Sequence, residues 1–223
     1  VTDGYGGTDS DSASVTVDNT APVVDSISIA PSTGIDSTML LTCSYTASDA
    51  DNDSLTAAYS WMNLSTNTSF SSTSSTLQLD PSTSEPSNII ECSVTITDSN
   101  GDSDSDSASV TVENTLPYFM SNASITASTG TAVGDVLTCS ATGMDQDDGA
   151  LTPVYSWSTG TTGSSYTIDA SDVSVGDSIT CTADVSDSNG GSDSSQTSVT
   201  IENRSPSITT VSISPTNPNA DYD

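Results

Sequence analysis

The sequence predicts an all-β chain of tandem two-sheet sandwiches, and three observations carry that prediction. A twenty-residue segment recurs without gaps: DGYGGTDSDSASVTVDNTAP at 3–22, DSNGDSDSDSASVTVENTLP at 98–117 and DSNGGSDSSQTSVTIENRSP at 187–206. Between these copies apolar residues alternate with polar ones at a period of two, the mark of strands with one buried face. Two Cys-to-Trp intervals also match, 18 residues from Cys43 to Trp61 and 18 from Cys139 to Trp157.

The repeat sets the expected domain organisation. Asp3 to Pro22, Asp98 to Pro117 and Asp187 to Pro206 each span 19 residues, so the period is 95 and then 89 residues. That size suits a small β-domain. Other phrases keep the same phase: DADNDSLTAAYSW at 49–61 returns as DQDDGALTPVYSW at 145–157, and APVVDSISIAPS at 21–32 as SPSITTVSISPT at 205–216. The expectation is therefore the last strands of a preceding repeat at 1–17, complete repeats at 18–112 and 113–201, and the opening of a following repeat at 202–223. With no initiating Met and no signal-like start, the chain is expected to be a piece of a longer protein.

Within a repeat the strands can be taken in order. Met39, Leu41, Cys43, Tyr45 and Ala47 alternate with Leu40, Thr42, Ser44 and Thr46, and Ile90, Cys92, Val94 and Ile96 alternate with Glu91, Ser93, Thr95 and Thr97. Shorter runs occur at Ala57, Tyr59 and Trp61, at Leu77 and Leu79, and at Ala108, Val110 and Val112, separated by Ser, Asp, Asn, Gly and Pro. No helical i, i+3, i+4 stripe persists. About seven short strands, with Cys on the second, Trp on the third and Cys on the penultimate, resemble the immunoglobulin-like sandwich. That likeness implies disulfides Cys43–Cys92 and Cys139–Cys181, with Trp61 and Trp157 as core plugs beside them. The other readings are a buried thiol pair or metal ligation for the cysteines and ligand stacking for the tryptophans. Ligation is disfavoured, since there is no C-x-x-C and no His. Disulfides in turn imply an oxidising, extracellular setting.

Composition pulls the other way. Leu, Ile, Val and Phe make up 39 of 223 residues, against 30 carboxylates, one basic residue (Arg204) and no His, for a formal charge of −29. Such a mixture ordinarily describes a disordered chain; the repeat and the alternation argue instead for a thin core used twice. The absences exclude functions. Without His there is no Ser-His-Asp or Cys-His machinery. Without Lys there is no Schiff base and no phosphate-loop lysine, and no distinctive carboxylate pair suggests a glycosidase. One Arg cannot neutralise a phosphate backbone, so neither nucleic acid nor anionic lipid is an expected partner. No apolar run approaches the roughly 18 residues a membrane-spanning helix needs. The chain is not expected to be an enzyme, and its acid excess suits a saline medium, where ions screen self-repulsion.

A family likeness follows from the motifs. VTITDSNGDSDS followed by SVTV, preceded by Asp-x-Asp-x-Asp-Ser-Leu-type acidic turns and a Tyr-Ser-Trp strand, resembles the PKD-like and bacterial or archaeal Ig-like repeats of large prokaryotic cell-surface proteins. The junctions VDNTAP, VENTLP and IENRSP look like a reduced cadherin linker, which binds calcium between domains. The residues themselves also point to a cation. Asp49 and Asp98 each lie six residues past a Cys, as do Asp145 and Asp187, and an even offset keeps them on the Cys face about 20 Å along the strand. The candidate ligands are Asp18, Asn19, Asp49, Asp51, Asp53 and Asp98 in the first repeat, and Glu113, Asn114, Asp145, Asp147, Asp148 and Asp187 in the second. Oxygen-only donors suit a hard cation, Ca²⁺ before Mg²⁺. The competing reading is that these Asp and Asn merely build turns.

Sequons for N-glycosylation fall at Asn52, Asn63, Asn67, Asn122 and Asn203. The expected function is a structural extracellular repeat segment of a cell-surface stalk, fibre or filament, stiffened by interdomain calcium. Its expected partners are neighbouring repeats and identical subunits in a filament. The alternatives are an adhesin module that recognises glycans or another cell, for which the long stretch 63–88 is the candidate surface, and an accessory module of a secreted enzyme.

Overall fold

The computed structural model describes residues 1–212; between Val23 and Thr200 alternation becomes strand, and the strands fall into two units, Val1–Thr115 and a second beginning at Leu116. In the first unit β1 (Val23–Ala30), β2 (Leu40–Ser48) and β5 (Thr76–Gln78) form one antiparallel sheet. The second sheet runs β4 (Thr68–Ser69), β3 (Thr56–Asn63), β6 (Ile89–Thr97) and β7 (Ser103–Thr111). The even positions of β6, Ile90, Cys92, Val94 and Ile96, are all buried, and they face Leu41, Cys43 and Leu77 of the other sheet. Cys43 and Cys92 are joined as a disulfide. Trp61 lies directly opposite Cys92 in the β3–β6 ladder and is buried, its indole N–H donating to the carbonyl of Ser74 at 2.9 Å.

The second unit repeats this arrangement. β8 (Tyr118–Ala127), β9 (Val136–Asp145) and β12 (Ser165–Thr167) form one sheet, and β11 (Val154–Trp157), β13 (Ser178–Ser186) and β14 (Ser192–Thr200) the other. Cys139 is bonded to Cys181, Trp157 pairs with Cys181, and the Trp157 indole donates to Gly163. One difference is local. Where β3 of the first unit runs unbroken, the chain here makes a short β10 (Gly149–Leu151) that pairs with β9, then passes Pro153, which has no N–H to give a ladder, before starting β11. At Gly143 of β9 an added Cβ would lie 2.5 Å from the Val185 side chain, so only glycine fits that approach.

Each unit closes between its first and last strands with a side chain. Asp104 accepts a hydrogen bond from the Val24 amide at 2.9 Å, and Ser195 accepts one from Ala123 at 2.9 Å. The Asp-Ser run at 103–107 is thus part of β7, and one of its acids, Asp104, caps β1. Arg204, past the end of β14, pairs with the buried carboxylate of Asp135, which also accepts from the Thr129 hydroxyl and the Ala132 amide. The Arg204 hydrogen bond is the foremost cause that holds Asp135 at a pKa of about 2.

The ends differ from the sequence expectation. Over 1–17, expected as strands, the backbone makes a single bridge, Thr2 to Thr8, and no strand. The turn itself is present: the Asp3 carboxylate accepts the amides of Tyr5 and Gly7, as Asp98 and Asp187 do in their own turns. What is absent from these residues is a sheet to pair with. Residues 202–212 also carry no strand, and the remainder of the expected following repeat lies outside the described residues. The divide between units falls after Thr115, so Glu113 and Asn114 stay with the first unit.

The disulfides close loops with sequence separations of 49 and 42 residues. On the chain-entropy model each stabilises its unit by about 4 kcal/mol. A Cys43→Ala/Cys92→Ala variant is expected to lose about that much, most of the net stability of a small domain, and denaturant unfolding followed by tryptophan fluorescence checks it.

Candidate functional site

β2 and β6 end at the same pole of the first unit because each is antiparallel to a neighbour that starts there, and both ends are aspartates. Asp49 follows β2 and Asp98 follows β6. With Asp53 from the β2–β3 turn they bring carboxylate oxygens within 4.8 Å of one another. Like charges at roughly this distance repel by several kcal/mol at an effective dielectric of 20, so the cluster needs compensation. No cationic side chain in the first unit provides it, since the chain's single Lys or Arg is Arg204.

Neutral donors take that role. Asp98 accepts the Asn19 amide at 2.9 Å and the backbone amides of Asn100, Gly101 and Asp102 between 2.7 and 2.9 Å. These bonds, the one from Asn19 foremost, hold the Asp98 carboxyl below the usual range against the opposing effect of burial. Asp49 Oδ1 accepts the amides of Asp51 and Asp53, while its other oxygen is buried without a hydrogen-bond partner. Ser99 donates to Asp53 at 3.0 Å, and the Asn100 side-chain amide donates to Asn19 Oδ1 at 2.5 Å.

The structure therefore brings together part of the predicted set. Asp49, Asp53 and Asp98 converge. Asn19 is held among them as a donor, and Asp51 ties the incoming chain by accepting the Thr20 amide at 2.7 Å. Asp18 is exposed and outside the trio. In the second unit Asp145 Oδ1 accepts the amides of Asp147 and Asp148, Asp148 accepts the amide and hydroxyl of Ser188, and Asp187 caps its own turn.

Glu113 requires a correction. Its carboxylate accepts the Gly34 amide at 2.8 Å and its amide donates to Ile35. It belongs to the first unit at the pole where β7 ends, a strand length of about 30 Å from Asp98. The junction residue that reaches the first unit's acidic pole is Asn19, on the segment leading into β1. Sequence reasoning missed Ser99, Asn100 and Asp102, whose only signal was their place in the recurring Asp-Ser-Asn-Gly turn.

A second correction concerns glycosylation. Asn63 is fully buried on the face of β3 that carries Trp61; its amide nitrogen donates to Thr83 and Asn88, and its oxygen accepts from Ser65 and Thr66. A glycan there is incompatible with this packing. Asn52, Asn67, Asn122 and Asn203 are exposed, the first two at turn positions with φ of 61° and 56°.

Fold and site together define the class: a tandem array of immunoglobulin-like β-sandwiches with one disulfide each. No family model matches the chain, and no curated protein matches it. Similar solved structures include the three N-terminal domains of the outer capsid protein Hoc of bacteriophage RB49, at 16% identity and a TM-score of 0.29 over 82% of this chain. Sidekick-1 immunoglobulin domains 1–5 match at 14% identity and 0.36 over 87%, and a 1.5-MDa bacterial ice-binding adhesin at 15% and 0.35 over 83%. The chain spans 59%, 42% and 66% of those three structures, less than two thirds of each. No helix among the described residues is long and apolar enough to cross a membrane.

Asp98 supplies a pH test. Its folded pKa is depressed, so its ionised form stabilises the first unit above the ordinary carboxylate range, and that contribution is lost as pH falls through the lowered value. Asn19→Ala is expected to raise the Asp98 pKa and move the acid loss of stability to higher pH, as read by carboxyl carbon NMR titration and melts between pH 2 and 5.

Proposed function

We propose that this chain is a structural segment of an extracellular, non-enzymatic cell-surface stalk, fibre or filament. The observation that carries the reading is one disulfide-pinned sandwich built twice in succession, with the same short Pro-containing phrase (VDNTAP, VENTLP, IENRSP) at each junction. The disulfides favour an oxidising compartment. The charge of −29 favours cations and proteins over nucleic acid or anionic lipid as partners. The exposed sequons at Asn52, Asn67, Asn122 and Asn203 are the ones a surface glycoprotein would use. Electron microscopy of the native assembly tests the reading: extended rods or filaments are expected, and isolated compact particles would end it.

Strand sharing between identical subunits, in which one chain's strand completes a neighbour's sheet, is the filament variant of this reading.

Calcium is the finer part of the proposal, in keeping with the PKD-like and cadherin-like resemblance. Asp49, Asp53 and Asp98, with the buried unsatisfied oxygen of Asp49, offer hard oxygen ligands beside the chain that enters β1. A bound ion would tie that segment to the pole and stiffen it. A ligand present at 100 times its dissociation constant adds about 2.7 kcal/mol of stability. Calcium is accordingly expected to raise the melting temperature relative to chelator in the parent chain but not in Asp49→Asn, and an unchanged melt in the parent removes calcium from the function.

A further inference from the structure

The chain between β3 and β6 of the first unit makes this Cys-to-Cys interval seven residues longer than that of the second, and it encloses a groove of about 490 Å³. One wall is β4, paired to the end of β3 through Met62–Ser69 and Asn63–Thr68; the other is the turn at 82–88. Asn63 lies buried between them and holds both, donating to Thr83 and to Asn88 Oδ1 on one side and accepting from Ser65 and Thr66 on the other. The structural Asn63 is what shapes this surface.

The lining has a definite chemistry. Phe70 packs against the core with part of its ring and lines the groove with the rest. Asn88 Oδ1 accepts from both Asn63 and the Glu85 amide, which fixes the side-chain orientation and leaves Nδ2 without a partner among the described residues. The exposed Glu85 carboxylate also makes no bond among the described residues, and Thr66, Thr68 and Ser82 place hydroxyls along the rim. A fitting ligand therefore presents an apolar face to Phe70, an acceptor to Asn88 and a donor to Glu85. An ammonium group offers no acceptor for Asn88. A carboxylate is repelled by Glu85 and by the net charge of −29. A pyranose ring meets all three conditions, with C–H groups on one face and hydroxyls that both donate and accept. The volume falls in the range of small-molecule sites.

We propose that this groove is a binding site for a neutral saccharide, read by Phe70, Glu85 and Asn88. The assignment does not depend on the stalk reading, because a stalk with or without a glycan site has the same sandwiches. The test is saturation-transfer difference NMR on the whole chain with the methyl pyranosides of glucose, galactose, mannose and N-acetylglucosamine, each at millimolar concentration, with choline and acetate as the charged comparisons. Transfer to ring C–H protons of at least one pyranoside is expected, weakened about tenfold by Glu85→Gln, which removes a charged hydrogen bond at an exposed position. Phe70→Ala is expected to abolish it. Since Phe70 also touches the core, Glu85→Gln with an unchanged melt is the variant that decides. Silence from all four pyranosides, transfer that survives Glu85→Gln undiminished, or transfer to choline or acetate alone would each overturn the assignment.

Discussion

In each unit two thin sheets meet across a cystine, with an indole lying alongside it, and everything else about the molecule is arranged around that tie. The apolar supply is small, so each sheet can dedicate only alternate residues of a few strands to the interior. A sandwich interior is about 10 Å thick, which one layer of side chains from each sheet can fill. Cys43, Cys92, Leu41, Ile90 and Trp61 fill it in the first unit, and Cys139, Cys181, Leu137, Ile179 and Trp157 in the second. Each indole hands its N–H to a loop carbonyl, so the largest apolar group in the interior leaves no polar atom unsatisfied. Because the cystine joins β2 to β6 and β9 to β13, it also brings the ends of those strands to a common pole.

That geometry explains why acids gather at the poles and how they are tolerated. Two of the three buried aspartates among the described residues, Asp98 and Asp135, are held in different ways. Asp98 relies on an Asn amide and three backbone amides, a neutral cage that lowers its pKa without any cation. Asp135 relies on the chain's lone guanidinium. Both arrangements fasten a junction segment to a loop: Asn19 anchors the chain on its way into β1, and Arg204 anchors it after β14. Glu113 does the corresponding work at the end of the first unit, with Gly34 as its donor. Electrostatics here sets where the chain enters and leaves a sandwich, a matter of direction for a repeat array more than of bulk stability.

The groove beside Phe70 arises from a place where the repeats diverge in length. Its shape rests on Asn63, a polar residue at a core position with every hydrogen bond satisfied, and a buried amide of that kind rigidifies its surroundings. The second unit has Ser158 and Thr159 after its Trp and a shorter return, so no equivalent Asn links two walls there. Divergence between otherwise similar units is where a specific surface would be expected to form.

Much of this was legible in the linear sequence, and the reason is local periodicity. Alternation at a period of two assigns each residue of β2, β6, β9 and β13 to a face. Equal Cys-to-Asp offsets then bring Asp49 and Asp98 to one pole without reference to anything distant. The same parity rule, applied two residues beyond Trp61, already places Asn63 inward, so its sequon could have been discounted from the spacing. Three features depended on the three-dimensional arrangement: that Glu113 stays with the unit it closes, that Asn19 acts as a donor to Asp98, and that Asn63 and Asn88 frame a groove. Each is a contact between residues far apart in sequence, set by how strands are ordered in two sheets, and periodicity along the chain carries no information about which loops that order brings together.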